Sequence, residues 1–185
     1  MTEPTPDETK RHRRTVVYQI AARLADDSAI GERASLRRLN YASPESPAFW
    51  KITVRDLDPL MPALERGREL HERRWAAILR GLAEVAGAGL HAPGRRLGEA
   101  VAAAKIDEAR FVKLLRAHGD ALLDLVRPLA HQLISKGEPV DWDDVARLVL
   151  SDGVPDEDER TRRDLARFYY STTYKMSATT QEPTA

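Results

Sequence analysis

Apolar residues recur at intervals of three and four along the whole chain, and this spacing sets the strongest limit on its fold. The stripe of the longest predicted helix, residues 63–85, shows the pattern with His71, Trp75, Ile78, Leu79, Leu82 and Val85. A strand would instead alternate apolar and polar residues with a period of two. No stretch of the sequence favours a strand. The spacing therefore predicts an all-α fold.

The clearest break in this pattern is GAGLHAPG at residues 87–94, with three glycines and one proline. Glycine and proline at this density end a helix and form a connector. We therefore predict two small helical bundles, or lobes, joined by this Gly/Pro-containing connector. The N-terminal helical lobe spans residues 10–88 and the C-terminal helical lobe spans residues 89–175. Residues 1–9 and 176–185 are predicted to be a disordered lead and a disordered tail.

The sequence offers little for catalysis, for a metal site or for a cofactor. It has no cysteine, its five histidines are isolated, and it contains no phosphate-binding glycine loop or nucleophile motif. The four acids from Asp156 to Glu159 are consecutive, so they cannot converge on one ion from one face of a helix. No apolar run reaches the length of a membrane span. We therefore expect a cytoplasmic protein that is not an enzyme and does not enter a membrane.

Charge is balanced overall but unevenly distributed. The chain has 29 basic and 29 acidic residues. Residues 138–159 hold nine acids and one arginine, whereas residues 95–116 hold six bases and three acids. Such a distribution suits a protein that meets phosphate on one side and a basic partner on another. It equally suits a mixed surface that keeps a small protein soluble.

The first basic helix face lies in GERASLRRLNYASPESPAFW, residues 31–50. On a helical wheel Leu36 and Leu39 share one side, and the opposite arc carries Arg33, Arg37 and Arg38. Prolines after Asn40 should end this helix. Phe49 and the following Trp50 are then predicted to re-enter the core.

Two further helices have basic faces. Asp107 is predicted to cap a helix that reaches His118, and Asp141 is predicted to cap a later one. The two helices with basic faces are the one that Asp107 caps and the last helix of the chain. The first carries Arg110, Lys113 and Arg116 opposite its apolar side, and the last helix carries Arg163 and Arg167. The face of the Asp107 helix fits phosphate contact and also fits an ordinary solvated surface. The arginines of the last helix lie beside Tyr170, and this edge fits binding of a single strand and equally a subunit contact.

These segments resemble a known family. The pattern Gly-x-x-Ala-x-Leu-Arg-Arg at residues 31–38, followed by a proline-containing turn and an aromatic, is similar to the start of CasB, the small subunit of the type I-E CRISPR Cascade complex. Further matches follow in order: GEAVAAAKIDEARFVKLLRAHG at residues 98–119, the helix start at Asp141-Trp142, and RRDLARFYYSTTY at residues 162–174. The resemblance covers about residues 15–175.

The CasB resemblance implies a non-catalytic subunit of a ribonucleoprotein. Two copies would stack head to tail along the backbone that carries the crRNA, between the large subunit and the subunit at the crRNA 3′ end. There they would hold the target strand and the displaced strand of the R-loop. Arg37 and Arg38 match the family motif, whereas the other six basic residues rest on the wheel argument.

A second hypothesis is a helical adaptor that binds protein and docks a basic partner through residues 138–159. A helical transcription factor is a third, although no helix-turn-helix with a short glycine turn is apparent in the sequence.

Overall fold

The computed structural model describes residues 6–62 and 64–180, most of which are helical. No strand occurs among these residues, which confirms the predicted all-α fold. None of their helices combines the length and the apolar character needed to cross a membrane. The chain divides into two compact units, Met1–His91 and Ala92–Ala185.

In the N-terminal unit, α1 and α2 pack against a long helix, α4. The helices are α1 (Pro6–Ala25), α2 (Ile30–Arg37), α3 (Pro47–Ile52) and α4 (Glu65–Gly87). A π-helical segment, Thr53–Leu57, follows α3 directly. Ala63, the predicted first residue of the long helix, lies outside the described residues. The fully buried core includes Val17, Ile20, Leu24, Leu36, Phe49, Ile52, Trp75, Ile78, Leu79 and Leu82.

The stretch between α2 and α3 follows its sequence closely, with one exception. Leu36 and Leu39 are buried as predicted, and α3 begins with Pro47 at a position where a missing N–H costs nothing. Phe49 is buried, but Trp50 is 43% exposed, so the prediction that both re-enter the core is wrong for the tryptophan. Consecutive helical residues point about 100° apart, so a single core cannot take both rings.

In the C-terminal unit, α5 and α8 pack against the long α9. The helices are α5 (Leu97–Ala103), α6 (Glu108–Arg116), α7 (Gly119–Ser135), α8 (Trp142–Ser151) and α9 (Pro155–Thr180). The buried core includes Leu97, Val101, Phe111, Leu122, Val126, Leu133, Trp142, Val145, Val149 and Leu165.

Two predicted helix caps in this unit are confirmed. An oxygen of Asp107 accepts a hydrogen bond from the Arg110 N–H at 3.0 Å, at the start of α6. Asp141 does the same for Asp143 at 3.1 Å, at the start of α8. The second Asp141 oxygen accepts from the Gly94 N–H at 2.8 Å and so ties the loop before α5 to α8.

The ends of the described chain are more helical than the sequence predicted. Helix α1 already begins at Pro6. Asp7 and Glu8 in its first turn stabilise it, because their negative charges lie at the positive end of the helix dipole. Helix α9 continues to Thr180, with hydroxyls such as that of Ser177 bonded to the carbonyl one turn earlier. The remaining residues of the predicted lead and tail, 1–5 and 181–185, lie outside the described residues. The change of unit falls after His91, close to the predicted boundary between residues 88 and 89.

Candidate nucleic-acid interface

The arginines of α2 do not form the uniform outer face that the wheel predicted. Arg33 donates from Nη1 to the carbonyl oxygens of Leu24, at 2.7 Å, and Asp26, at 2.6 Å. The Leu24 carbonyl lies in the last turn of α1, and the Asp26 carbonyl follows the helix. Carbonyl groups at the end of a helix have no N–H donor within the helix. Arg37 pairs its Nε with Glu84 of α4 at 3.1 Å. Both guanidinium groups are therefore held by the N-terminal unit itself.

Arg38 directly follows α2, and its side chain is exposed. Within residues 6–62 and 64–180 no carboxylate lies at ion-pair distance from its guanidinium group. Of the three α2 candidates, it is the one whose charge is open to an external phosphate.

The basic stripe of α6 is exposed as predicted. Arg110, Lys113 and Arg116 all lie at the surface of the C-terminal unit. Arg110 pairs with Asp107 at 3.1 Å, but both side chains are more than half exposed, so the pair contributes little to stability. In the part of the chain that the structure describes, Lys113 and Arg116 have no carboxylate at that distance. This stripe therefore presents two exposed cations, Lys113 and Arg116, that no carboxylate of the described residues pairs at ion-pair distance.

The α9 candidates are exposed but less open. Arg163 forms an i,i+4 ion pair with Glu159 in which both side chains are exposed, and Arg167 is exposed on the same helix. The Tyr170 hydroxyl donates a hydrogen bond to Glu108 of α6 at 2.7 Å. This bond raises the pKa of Tyr170 above its usual value and holds the ring beside α6.

Sequence reasoning missed a polar network at the ends of four helices in the C-terminal unit. Arg162 of α9 donates to Asp158 at 2.6 Å, to Asp152 at 3.0 Å, and to the carbonyl of Leu115 in α6 at 2.7 Å. The other Asp152 oxygen accepts from the backbone N–H of Gly119, the first residue of α7, at 2.8 Å. Asp152 itself directly follows α8. The Arg162–Asp152 pair therefore connects α6, α7, α8 and α9.

His118 completes this network, with Nδ1 2.6 Å from Asp152. The ligand atoms of His118, Asp152 and Asp158 lie within 4.8 Å of one another, a spacing that a metal ion could use. Arg162, however, already supplies the positive charge that both carboxylates need. The only local signal in the sequence is the i,i+4 spacing of Asp158 and Arg162, because 34 residues separate His118 from Asp152.

Because of this network, the free energy of unfolding of the C-terminal unit should depend on pH. Burial alone raises the pKa of Asp152, but the hydrogen bonds from Gly119 and His118 and the charges of His118 and Arg162 outweigh it and hold the pKa below its ordinary value. A carboxyl with a lowered pKa adds stability above its unfolded-state pKa and loses it as the pH falls through its folded-state pKa.

We therefore expect the difference in melting temperature between the wild type and Asp152→Asn to be largest near pH 7. It should shrink progressively below about pH 5. Asp156→Asn, at an exposed position on α9, is the matched control and should differ little from the wild type at any pH. A wild-type to Asp152→Asn difference that stays constant down to pH 3 would contradict this assignment.

Most acids of residues 138–159 form hydrogen bonds or ion pairs within their own unit. Glu138 lies 3.7 Å from Arg95, and Asp141 caps α8. Asp144 accepts from the Leu97 N–H at 2.9 Å and pairs with Arg96 at 3.2 Å. Together with Asp152 and Asp158, these carboxylates leave few charges for an external basic partner.

Comparison with known proteins identifies the family. The model of the CRISPR-associated protein Cse2 family matches residues 32–170, well over half of the chain. The chain belongs to the Cse2 family. The predicted resemblance to CasB, another name of the same subunit, is thereby confirmed. As a Cse2 protein, the chain is a subunit of the CRISPR Cascade complex.

The fold of this Cse2 chain is similar to that of CasB from Thermobifida fusca, whose crystal structure aligns with a TM-score of 0.67 at 22% sequence identity. The alignment covers 87% of this chain and 97% of the other. No curated protein matches the sequence. The Cse2 family match and the all-α fold thus agree with each other.

Proposed function

We propose that this chain is the non-catalytic small subunit of a type I-E Cascade and that it binds the nucleic-acid backbone without sequence specificity. In this role it stabilises the R-loop formed by crRNA and target DNA, and it contacts both the target strand and the displaced strand. Its protein partners are the backbone subunit, the large subunit, the subunit at the crRNA 3′ end and a second copy of itself. The complex would work in the cytoplasm.

The observation that carries this proposal is the exposed basic stripe of α6. Lys113 and Arg116 present charges that no carboxylate of the described residues neutralises at ion-pair distance. Backbone neutralisation by such side chains is independent of sequence, because every nucleotide carries the same phosphate. Guide pairing supplies the sequence specificity in RNA-guided complexes, so the protein does not need to read bases.

The candidate residues differ in how they would serve this function. Arg38, Lys113, Arg116 and Arg167 are exposed and would contact phosphate directly. Arg110 and Arg163 would exchange weak surface ion pairs for phosphate. Arg33 and Arg37 would act by holding α2 in position, because their guanidinium groups are bonded within the unit.

We expect the triple variant Arg38→Ala, Lys113→Ala, Arg116→Ala to weaken R-loop formation about tenfold in Cascade assembled with crRNA. The loss should be equal on all matched targets, and the slope of log K against log salt should fall by about two to three units for three lost contacts. R-loop formation is measured by gel shift on several targets at several salt concentrations.

The matched control for this experiment is Lys51→Ala, Lys136→Ala, Lys175→Ala, which removes the same charge from other exposed positions. It should leave R-loop formation nearly unchanged. A loss confined to particular target sequences, or an equal loss in both triple variants, would refute the proposal.

The adaptor hypothesis assigned residues 138–159 to the docking of a basic partner, but many acids of this segment are bonded within their own unit. Its exposed remainder includes Asp156, at the start of α9. If Asp156→Lys abolished assembly while the triple variant above had no effect, the adaptor would be the better description.

A further inference from the structure

A groove lies beside the basic stripe of α6 in the C-terminal unit. It has a volume of about 370 Å³, within the usual range of ligand sites. Its floor and walls come from α5, α6, α7 and the turn before α6: Val101, Ile106, Phe111, Leu114, Leu125, Pro128 and Leu129. All of these side chains are apolar.

The polar groups of the groove are few and unevenly placed. Arg110 and Lys113 line it from α6, and Gln132 lines it from α7. Both basic side chains are exposed, and Arg116 lies one turn beyond Lys113 on the same helix. The groove therefore combines an apolar interior with cations on one side.

We propose that this groove takes an unpaired base of single-stranded DNA while Arg110 and Lys113 bind the adjoining phosphates. This inference rests on the proposed function, because it assigns a second contact to the same surface. Single-strand binding sites commonly pair a cationic track with apolar or aromatic surfaces for the bases. A base in duplex DNA is already stacked and paired, so only an unpaired strand can fill the groove.

The chemistry of the groove favours DNA over RNA as its occupant. A 2′-hydroxyl is the group by which proteins distinguish RNA, and it needs a hydrogen-bonding partner when it is buried. Among the described residues that line the groove, Gln132 is the one uncharged polar side chain, and apart from Arg110 and Lys113 the others are hydrocarbon. Apolar contacts suit the methyl group of thymine and the deoxyribose ring.

The test separates the base from the phosphate. The full chain is titrated at low ionic strength with oligothymidylate and with an abasic oligonucleotide of the same length and charge. We expect the thymine-containing strand to bind about fivefold more tightly, at the lower end for base contacts because the walls are mostly aliphatic and the ring of Phe111 is only 1% exposed. Oligouridylate should bind more weakly than oligothymidylate.

The variant Gln132→Trp fills the groove without changing the charge. We expect it to bring oligothymidylate down to the affinity of the abasic strand, which should itself be unaffected. His131→Trp is the matched control, because His131 is the exposed neighbour of Gln132 on α7 and does not line the groove. It should keep the fivefold preference.

Two outcomes would overturn the groove assignment. Equal binding of both strands by the wild type would contradict the base contact. The proposed phosphate contact would be unaffected by that result, because R-loop formation in the assembled complex tests it separately. If Gln132→Trp instead prevented assembly with the other Cascade subunits while leaving the fivefold preference intact, the groove would be a protein-docking surface.

Discussion

Replacing Arg162 by alanine should cost the C-terminal unit about 3 to 5 kcal/mol of unfolding free energy. The guanidinium group and its partners Asp152 and Asp158 are all at least 87% buried as side chains. Removing the cation leaves Asp152 and Asp158 close together without the charge that joins them, and the Gly119 N–H and His118 remain as partners of Asp152. It also leaves the Leu115 carbonyl at the end of α6 without its donor.

The neighbouring Arg163 provides a matched control, because it differs from Arg162 in environment and not in chemistry. Its ion pair with Glu159 has side chains that are 73% and 69% exposed. Arg163→Ala should therefore cost between about 0 and 1 kcal/mol. Arg162→Lys keeps the charge but cannot reproduce the several directed hydrogen bonds, so we expect an intermediate loss.

Hydrogen exchange of the full chain measures this effect where it should occur. We expect faster exchange of the protected amides of α7 and α8 in Arg162→Ala, with those of α4 in the N-terminal unit much less affected. Equal losses for Arg162→Ala and Arg163→Ala would show that the network does not stabilise the unit.

The helices could be predicted from the sequence because their causes are local. Apolar spacing sets the buried face of each helix, and a capping carboxylate such as Asp107 sits only three residues from the N–H it binds. The family resemblance was also predictable, because it rests on short local motifs and on their order along the chain. The match over residues 32–170 bears this out.

The state of the individual charges could not be predicted in the same way. A helical wheel gives the direction of Arg37 but does not reveal that Glu84 of α4 lies opposite it. The network around Arg162 likewise depends on side chains that meet only after α6, α7, α8 and α9 have packed. Long arginine side chains reach several ångströms, so pairing depends on tertiary structure.

These differences change the interpretation of the basic and acidic surfaces. The helical wheel placed Arg33 and Arg38 on the same arc, yet Arg33 bonds to the end of α1 whereas Arg38 is exposed. The acidic run was an apparent docking surface, yet Asp144 and Asp152 hold their own unit together. Proposals about partners should therefore rest on the exposed remainder of each charge cluster.

Gly98→Ala should destabilise the C-terminal unit by about 3 kcal/mol or more, at or above the upper end of ordinary overpacking. Gly98 lies in α5, where that helix packs most closely against α9. A Cβ atom at this position would meet the carbonyl oxygen of Leu165, and it would lie 2.8 Å from the Tyr169 nitrogen and 2.9 Å from the Phe168 Cβ. Two of these obstacles are backbone atoms, which cannot move aside by changing rotamer.

Gly31→Ala is the matched control, because Gly31 also lies inside a helix but nothing comes within 4 Å of the added Cβ. Alanine is the better helix former, so this variant should gain about 0.5 to 1 kcal/mol. The two substitutions are chemically identical and should shift the urea midpoint of the full chain in opposite directions. A Gly98→Ala midpoint at or above that of the wild type would mean that α5 and α9 can separate at little cost, and the close approach at Gly98 would then not explain why the motif at residues 98–119 begins with glycine.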